Sequence, residues 1–184
     1  MLALSTILAE NPPDPAAMSL PDDVLVRRAQ QDMHHFATLY RRHVDSIYRY
    51  LLARVSNPQD AQDLTSQTFL AAMEGLPNFR GDSPFVGWLF GIARFKSADF
   101  YRHRKPETEL DTAVDLTDGL DSADDVVGRH LQIEQVARKL DTLAPDRAEA
   151  LRLRLFAGLE VAEIARLMDR KEPAVRMLVF RGLR

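Results

Sequence analysis

Residues 159–184, which read LEVAEIARLMDRKEPAVRMLVFRGLR, are the stretch that decides the fold. Apolar residues recur there every three or four positions, which predicts one helix over about Glu160–Met168 and a second from Glu172 onward. A polar turn, Asp169–Lys171, separates the two, and Pro173 suits the first turn of the second helix. These proportions predict a helix-turn-helix.

The rest of the chain carries the same helical period. The pattern predicts a helix over about Asp22–Ser56 and another from near Asp60 to Gly75. A third helix follows Ser83-Pro84, with Ser83 as N-cap and Pro84 at the first helical position. Two more are expected over about Gly128–Leu140 and Pro145–Ala157. No alternating run typical of strands occurs, so we predict an all-α protein.

An acidic segment divides the chain. The formal net charge of −3 hides a stretch, Pro106–Gly128, with eight acidic residues and no Lys or Arg. Such self-repelling sequence favours a flexible linker between two small helical domains. The expected organisation is a disordered extension at 1–21, a helical domain at 22–105, an acidic linker at 106–128 and a helix-turn-helix domain at 129–184.

Basic residues concentrate on either side of the linker, in Arg80–Lys105 and Arg166–Arg184. Charge clusters of this kind also occur on ordinary solvated surfaces, so they are not decisive alone. The second of them coincides with the predicted helix-turn-helix, whose second helix enters the major groove in DNA-binding proteins. Together the two features indicate nucleic-acid binding.

Several function classes are excluded by what the sequence lacks. There is no cysteine, no glycine-rich phosphate loop, no nucleophile elbow and no His-Glu-x-x-His motif, so we predict no catalytic residue, metal or cofactor. No apolar run approaches the roughly 20 residues of a membrane-spanning helix. The first residues lack the basic region of a signal peptide. We therefore expect a non-enzymatic cytoplasmic protein without membrane insertion.

Four motifs in order add a family resemblance. They are FATLYRRH at Phe36–His43, AQDLTSQTFL at Ala61–Leu70, NFRGDS at Asn78–Ser83 followed by WLFGIAR at Trp88–Arg94, and the terminal helix-turn-helix. The sequence resembles the small extracytoplasmic-function (ECF) sigma factors of the sigma-70 superfamily, which keep only the second and fourth sigma domains. The resemblance implies a dissociable subunit that directs core RNA polymerase to promoters, helps to melt them, and joins the nucleoid within the holoenzyme.

A polymerase-binding surface follows from this resemblance. In the family, the second helix docks on the clamp coiled coil of the β′ subunit of core polymerase. The β subunit is a further expected partner. The residues implied are Asp63, Leu64, Gln67, Phe69 and Leu70. Leu64 and Phe69 could equally be core residues. Gln62 and Gln67 stand where relatives carry acids, which predicts weaker electrostatic steering.

The resemblance also implies a surface for the melted minus-ten element. Phe79 corresponds to the family position that helps to hold a flipped base, and Phe95 replaces an Asn common in relatives. Stacking on aromatics and cations beside phosphates suit such a strand. The implied residues are Phe79, Arg80, Ser83, Arg94, Phe95, Lys96, Arg102, Arg104 and Lys105. Trp88 more readily fits the core.

The helix-turn-helix is implied to read the duplex minus-thirty-five element. The residues expected to face DNA are Arg170, Lys171, Glu172, Arg176, Met177 and Arg181. Asp169 replaces a common glycine but tolerates left-handed backbone geometry. Lys171 replaces a hydroxyl N-cap, which predicts a cap weaker by about 1 kcal/mol.

Other readings remain open at this stage. The linker could thread through basic polymerase channels, act as a tether, or mask the basic faces of the free protein. The chain could instead be a helix-turn-helix regulator of duplex DNA without polymerase, or a helical adaptor for proteins. An anti-sigma factor is a further candidate partner, because faces left uncovered without polymerase would suit one.

Overall fold

The protein is described by a computed structural model, which covers residues 15–103, 132, 133 and 135–182. Within these ranges all regular structure is helical, which confirms the all-α prediction. The first domain holds α1 (Asp22–Gln31), α2 (Phe36–Val55), α3 (Pro58–Gly75) and α4 (Phe85–His103), with short helical turns at Pro15–Met18, Met33–His35 and Leu76–Asn78. The second holds helical residues 135–141, then α5 (Pro145–Leu155), α6 (Val161–Met168) and α7 (Glu172–Gly182). The linker predicted at 106–128 lies outside the described residues.

The N-terminal part differs from the sequence prediction in two places. Residues 15–21 were assigned to the disordered extension, yet Pro15–Met18 is helical and Ala17 is buried. The single helix predicted over Asp22–Ser56 is wrong, because the chain breaks at Asp32. That residue is extended, at φ −143°, and its carboxylate accepts a hydrogen bond of 3.1 Å from the backbone N–H of His34. Asp competes with helical hydrogen bonding in this way and therefore favours caps.

The α2–α3 junction is sharply defined. Ser56 takes the left-handed conformation, at φ 55°, and donates its N–H to the Leu52 carbonyl. The Asn57 side chain then caps α3 by accepting the Asp60 N–H at 3.0 Å. Helix α3 consequently begins at Pro58, two residues earlier than predicted near Asp60.

The core of the first domain lies between α2, α3 and α4. Phe36 of α2 meets Phe69 of α3 edge-on, with ring centroids 6.4 Å apart, and Tyr50 of α2 meets Phe90 of α4 at 5.4 Å. All four are fully buried. Each large buried side chain contributes about 1.5–3 kcal/mol relative to exposure, so these contacts fix α3 and α4 against α2.

The start of α4 differs slightly from the prediction. The helix begins at Phe85, and the Trp88 N–H donates to the Pro84 carbonyl at 3.1 Å. Pro84 therefore occupies the capping position that the sequence assigned to Ser83. The loop before it turns at Gly81, where φ is +77°, a conformation that suits glycine.

The helix-turn-helix of the second domain is present as predicted. Ile164 of α6 and Val175 of α7 are fully buried between the helices. Asp169 is left-handed at φ 52°, and the following Arg170 N–H donates to the Ala165 carbonyl at 2.9 Å, which closes the end of α6. Helix α6 also starts with a capping box formed by Glu160 and Glu163.

Four residues at the contact between the two domains form what we call the interdomain ion cluster: Tyr50, Arg54, Arg94 and Glu149. The Tyr50 hydroxyl donates to Glu149 Oε1 at 2.8 Å, Arg54 pairs with Glu149 Oε2, and Arg94 Nε lies 3.5 Å from Oε1. Glu149 is buried. Burial and the neighbouring Glu149 charge raise the pKa of Tyr50, so its hydroxyl stays protonated and donates. The cluster joins α5 to α2 and α4.

None of the helices in the described ranges combines the length and the hydropathy of a membrane-spanning segment.

Candidate nucleic-acid interface

The loop before α4 forms one wall of an aromatic groove. Phe79 is partly buried and stacks on Trp88, with centroids 4.8 Å apart and planes inclined by 36°. Phe85 meets Phe79 edge-on at 6.1 Å. The groove has a volume of about 690 Å³, and its polar rim includes Arg80 and Ser83 as well as three aspartates, Asp22, Asp23 and Asp82. An aromatic wall with a polar rim is the kind of surface on which an unstacked base is held.

Helix α1 forms the opposite wall of this groove, through residues that include Arg27 and Gln30. The Gln30 side-chain amide donates to the carbonyls of Leu76 and Phe79, at 3.0 and 2.8 Å. The contribution of Gln30 to this groove was not predicted from the sequence. The partners lie more than 45 residues away along the chain, so no local spacing could reveal them.

A further aromatic and basic surface follows along α4. Phe95 is 62% exposed, and the Arg102 guanidinium lies 5.9 Å from the centre of its ring. Arg102 also pairs with Asp99 at 2.8 Å, and Lys96 is half-buried. Arg104 and Lys105, also predicted to contact the minus-ten element, lie outside the described residues. Phe95 is thus placed to offer a ring face to a base, with a cation beside it.

Arg94 has a different environment from the other predicted minus-ten residues. Its guanidinium pairs with Glu149 and donates to the backbone carbonyl of Leu167, both in the second domain. In this arrangement Arg94 is committed to the domain contact.

The outer face of α3 is the candidate polymerase-binding surface. Asp63 and Gln67 are exposed and Leu70 is half-buried on the same face of the helix. Leu64 and Phe69 are buried, at 2% and 0% exposure, which is the core role that the sequence had left open for both.

Glu74 extends this outer face and was missed. It is exposed and follows Gln67 and Leu70 at helical spacing, so that Asp63, Gln67, Leu70 and Glu74 form one stripe. Glu74 could have been predicted from the sequence, because the four residues are spaced by four, three and four positions.

The predicted minus-thirty-five residues lie in the turn and on the open face of α7. Arg170, Lys171, Glu172, Arg176, Met177 and Arg181 are all exposed. Val175 points inward and holds α7 against α6. Arg170 pairs with Asp146 of α5 at 2.5 Å, so part of its charge is already neutralised. Phe180, 55% exposed on the same helix, was not singled out from the sequence.

A charged cluster joins α1 to α2 beside the groove. Asp22 Oδ2 lies 2.8 Å from His43 Nε2, and Asp22 Oδ1 accepts from Arg42 at 2.5 Å. Burial would raise the pKa of Asp22, but hydrogen bonds and charge from His43 and Arg42 outweigh it and lower the pKa. The His43 ring also contacts Phe85, at 5.7 Å. The cluster thus anchors α1 next to the aromatic wall.

Among the residues that the structure describes, no three His, Asp or Glu side chains come close enough to hold a metal ion.

Comparison with known proteins identifies both domains. The profile of Sigma-70 region 2 matches residues 39–107, and that of Sigma-70, region 4 matches residues 133–184. An ECF RNA polymerase sigma factor, BldN of Streptomyces coelicolor, is 35% identical over 87% of this chain and 62% of its own length. The ECF RNA polymerase sigma-E factor of Escherichia coli is 30% identical over 89% of this chain and 91% of its own length.

A solved structure shows the same fold. CnrH, determined in complex with the cytosolic domain of CnrY, superposes with a TM-score of 0.67 at 24% identity, covering 86% of this chain and 90% of that one. The relatives, the two region matches and the helix-turn-helix all indicate the same family. The chain therefore belongs to the ECF family of sigma-70 RNA polymerase sigma factors.

Proposed function

We propose that this sigma factor divides promoter recognition among three surfaces. The stripe on α3 binds the clamp coiled coil of the β′ subunit, the Phe79 groove with the exposed side of α4 holds the non-template strand of the minus-ten element, and α7 reads the duplex minus-thirty-five element. The observation that carries the proposal is the groove of about 690 Å³ lined by Phe79 and Phe85, in which the Phe79 ring is held by its stack on Trp88. A regulator that reads only duplex DNA has no use for such a groove and is not favoured.

The minus-ten assignment is supported by two aromatic sites with cations beside them. A base in the groove would meet Phe79, with Arg80 near its phosphate. Farther along, Phe95 presents an exposed ring with Arg102 against it. Stacking tolerates any base, and each base–aromatic contact contributes about 1–3 kcal/mol. Capture of a melted strand would therefore favour the open promoter.

The α3 stripe suits a mixed polar and apolar contact with polymerase. Asp63 and Glu74 supply negative charge at its two ends, while Leu70 offers a partly exposed apolar side chain between them. Gln67 adds no charge. Long-range attraction to a basic partner is accordingly modest, and short-range packing carries more of the affinity.

The α7 assignment is supported by the burial pattern of the helix. Val175 fixes one face against α6, which turns Arg176 and Met177 toward solvent. A guanidinium can contact guanine in a bidentate manner, and an apolar side chain can contact the thymine methyl group. Lys171, in the turn, is suitably placed for a phosphate.

The groove is tested by Phe79→Ala. The variant should bind core polymerase normally. Its holoenzyme should open a promoter, selected by wild-type holoenzyme from random DNA, about 5- to 150-fold more slowly, since about 1–3 kcal/mol of stacking is lost. Permanganate reactivity of minus-ten thymines measures opening. Leu155→Ala, which truncates an exposed side chain in the second domain, is the control. Equal loss of core binding in Phe79→Ala would mean that Phe79 serves folding instead.

The proposal extends to the setting in which the protein works. A sigma factor of this kind would act without catalysis in the cytoplasm, bound to the nucleoid in the holoenzyme. Exposed apolar side chains such as Phe95 and Met177 suit an anti-sigma factor as a covering partner in the absence of polymerase. Co-purification of a protein that releases the sigma factor when core polymerase is added would test this part.

A further inference from the structure

We propose that Gln30 positions the Phe79 loop, which makes α1 a working part of the minus-ten groove. Helix α1 ends at Gln31 and lies outside the segment matched by Sigma-70 region 2, which begins at residue 39. The inference rests on the proposed function of the groove. It adds a positioning residue, which acts through Phe79 and is not itself required to touch DNA.

The Gln30 amide bridges the two ends of one short turn. Its Nε2 donates to the carbonyl of Leu76, at 3.0 Å, and to that of Phe79, at 2.8 Å. Carbonyl oxygens only accept, so the amide must present both of its N–H donors to the turn. The turn also closes on itself, because the Phe79 N–H donates to the Leu76 carbonyl at 3.1 Å. Gln30 thus holds the backbone at the residue whose ring stacks on Trp88.

The loop beyond this point has little support of its own. In the described chain, residues 80–83 make no hydrogen bond between backbone groups, and Gly81 would meet nothing within 4 Å if it carried a Cβ. Phe79 is therefore the last residue tied to the scaffold before α4 begins. Its ring position depends on the Trp88 contact on one side and on the Gln30 bridge on the other.

Helix α1 is a rigid support for this bridge. Leu25, Val26 and Ala29 are buried against the domain core. Its first turn is tied to α2 by the pairing of Asp22 with His43. Gln30 itself is exposed, so changing it leaves no cavity and should leave the fold intact.

The test compares three variants that differ in hydrogen-bond donors. Gln30→Leu removes both donors at similar size, and Gln30→Lys supplies donors from an ammonium group. Gln31→Leu alters the exposed neighbouring glutamine as the matched control. Trp88 is the only tryptophan of the chain, so its emission reports the Phe79 contact directly. The second measurement is capture by holoenzyme of a labelled single-stranded oligonucleotide, the non-template strand of the selected promoter.

Gln30→Leu should shift Trp88 emission and weaken strand capture about tenfold, the loss expected for one to two hydrogen bonds. Its thermal midpoint and core association should stay at wild-type values. Gln30→Lys should recover part of both signals, and Gln31→Leu should show neither change.

Two results would separate the possible failures. Unchanged emission and capture in Gln30→Leu, alongside reduced capture in Phe79→Ala, would overturn the role of Gln30 and leave the groove standing. Normal capture in Phe79→Ala, alongside a shifted emission in Gln30→Leu, would support the positioning of the loop and contradict the proposed function of the groove.

Discussion

At the scale of single residues, Asp22 has the clearest energetic consequence. Its pKa is lowered by His43 and Arg42, so it favours the folded state above the ordinary aspartate range near 3.9 and loses this effect as the pH falls through its folded pKa. Asp22→Asn should reduce the free energy of unfolding by about 1–3 kcal/mol at pH 7, with the difference shrinking below about pH 4. Urea titrations from pH 7 to pH 3 measure it.

The neighbouring Asp23 supplies the control for this experiment. It pairs with Arg27 at 2.9 Å, but both side chains are largely exposed, so Asp23→Asn should change stability by less than about 1 kcal/mol. A difference between wild type and Asp22→Asn that stayed constant down to pH 3 would show that the carboxylate charge is not responsible.

At the scale of elements, the start of α7 affects both helix stability and the proposed contact with DNA. The Lys171 carbonyl accepts the N–H of Ala174 and of Val175, so Lys171 occupies the N-cap position without a capping hydroxyl. Lys171→Ser should raise the stability of the second domain by about 1 kcal/mol. If Lys171 contacts a phosphate as proposed, the variant should also weaken binding to minus-thirty-five DNA and reduce the slope of log affinity against log salt by about 1.

Calorimetry measures the change in stability, and salt titrations of DNA binding by the holoenzyme measure the change in slope. Lys171→Ala, which removes the charge without adding a cap, should reproduce the change in salt slope but not the gain in stability. An unchanged salt slope in both variants would remove Lys171 from the DNA-binding surface.

The elements also show how far sequence reasoning extends. The turn at Asp169 and the helices around it were predicted, because apolar spacing and local backbone preference agree there. The break at Asp32 was not, since helical periodicity continues across it and the deciding event is one hydrogen bond to His34. Phe79 was identified through its family motif. Gln30 was not, because its contacts exist only after α1 folds over the loop.

At the scale of the whole molecule, the interdomain ion cluster links the two domains, alongside apolar contacts and the hydrogen bond from Arg152 to the Ala53 carbonyl, and it engages Arg94. Glu149→Ala would leave Arg54 half-buried without its acid, a loss of about 3 kcal/mol. We expect the domains to separate and the radius of gyration in small-angle scattering to rise. Asp146→Ala, which breaks an exposed pair inside the second domain, is the control. An unchanged radius in Glu149→Ala would show that other contacts keep the domains together.

The most direct test of the central claim is association with bacterial core RNA polymerase, followed by fluorescence anisotropy of the labelled protein and of labelled promoter DNA. A sigma factor should bind core tightly and engage the promoter only within that complex. Sequence-selective binding of the free protein to duplex DNA, with no binding to core, would contradict the assignment of these surfaces.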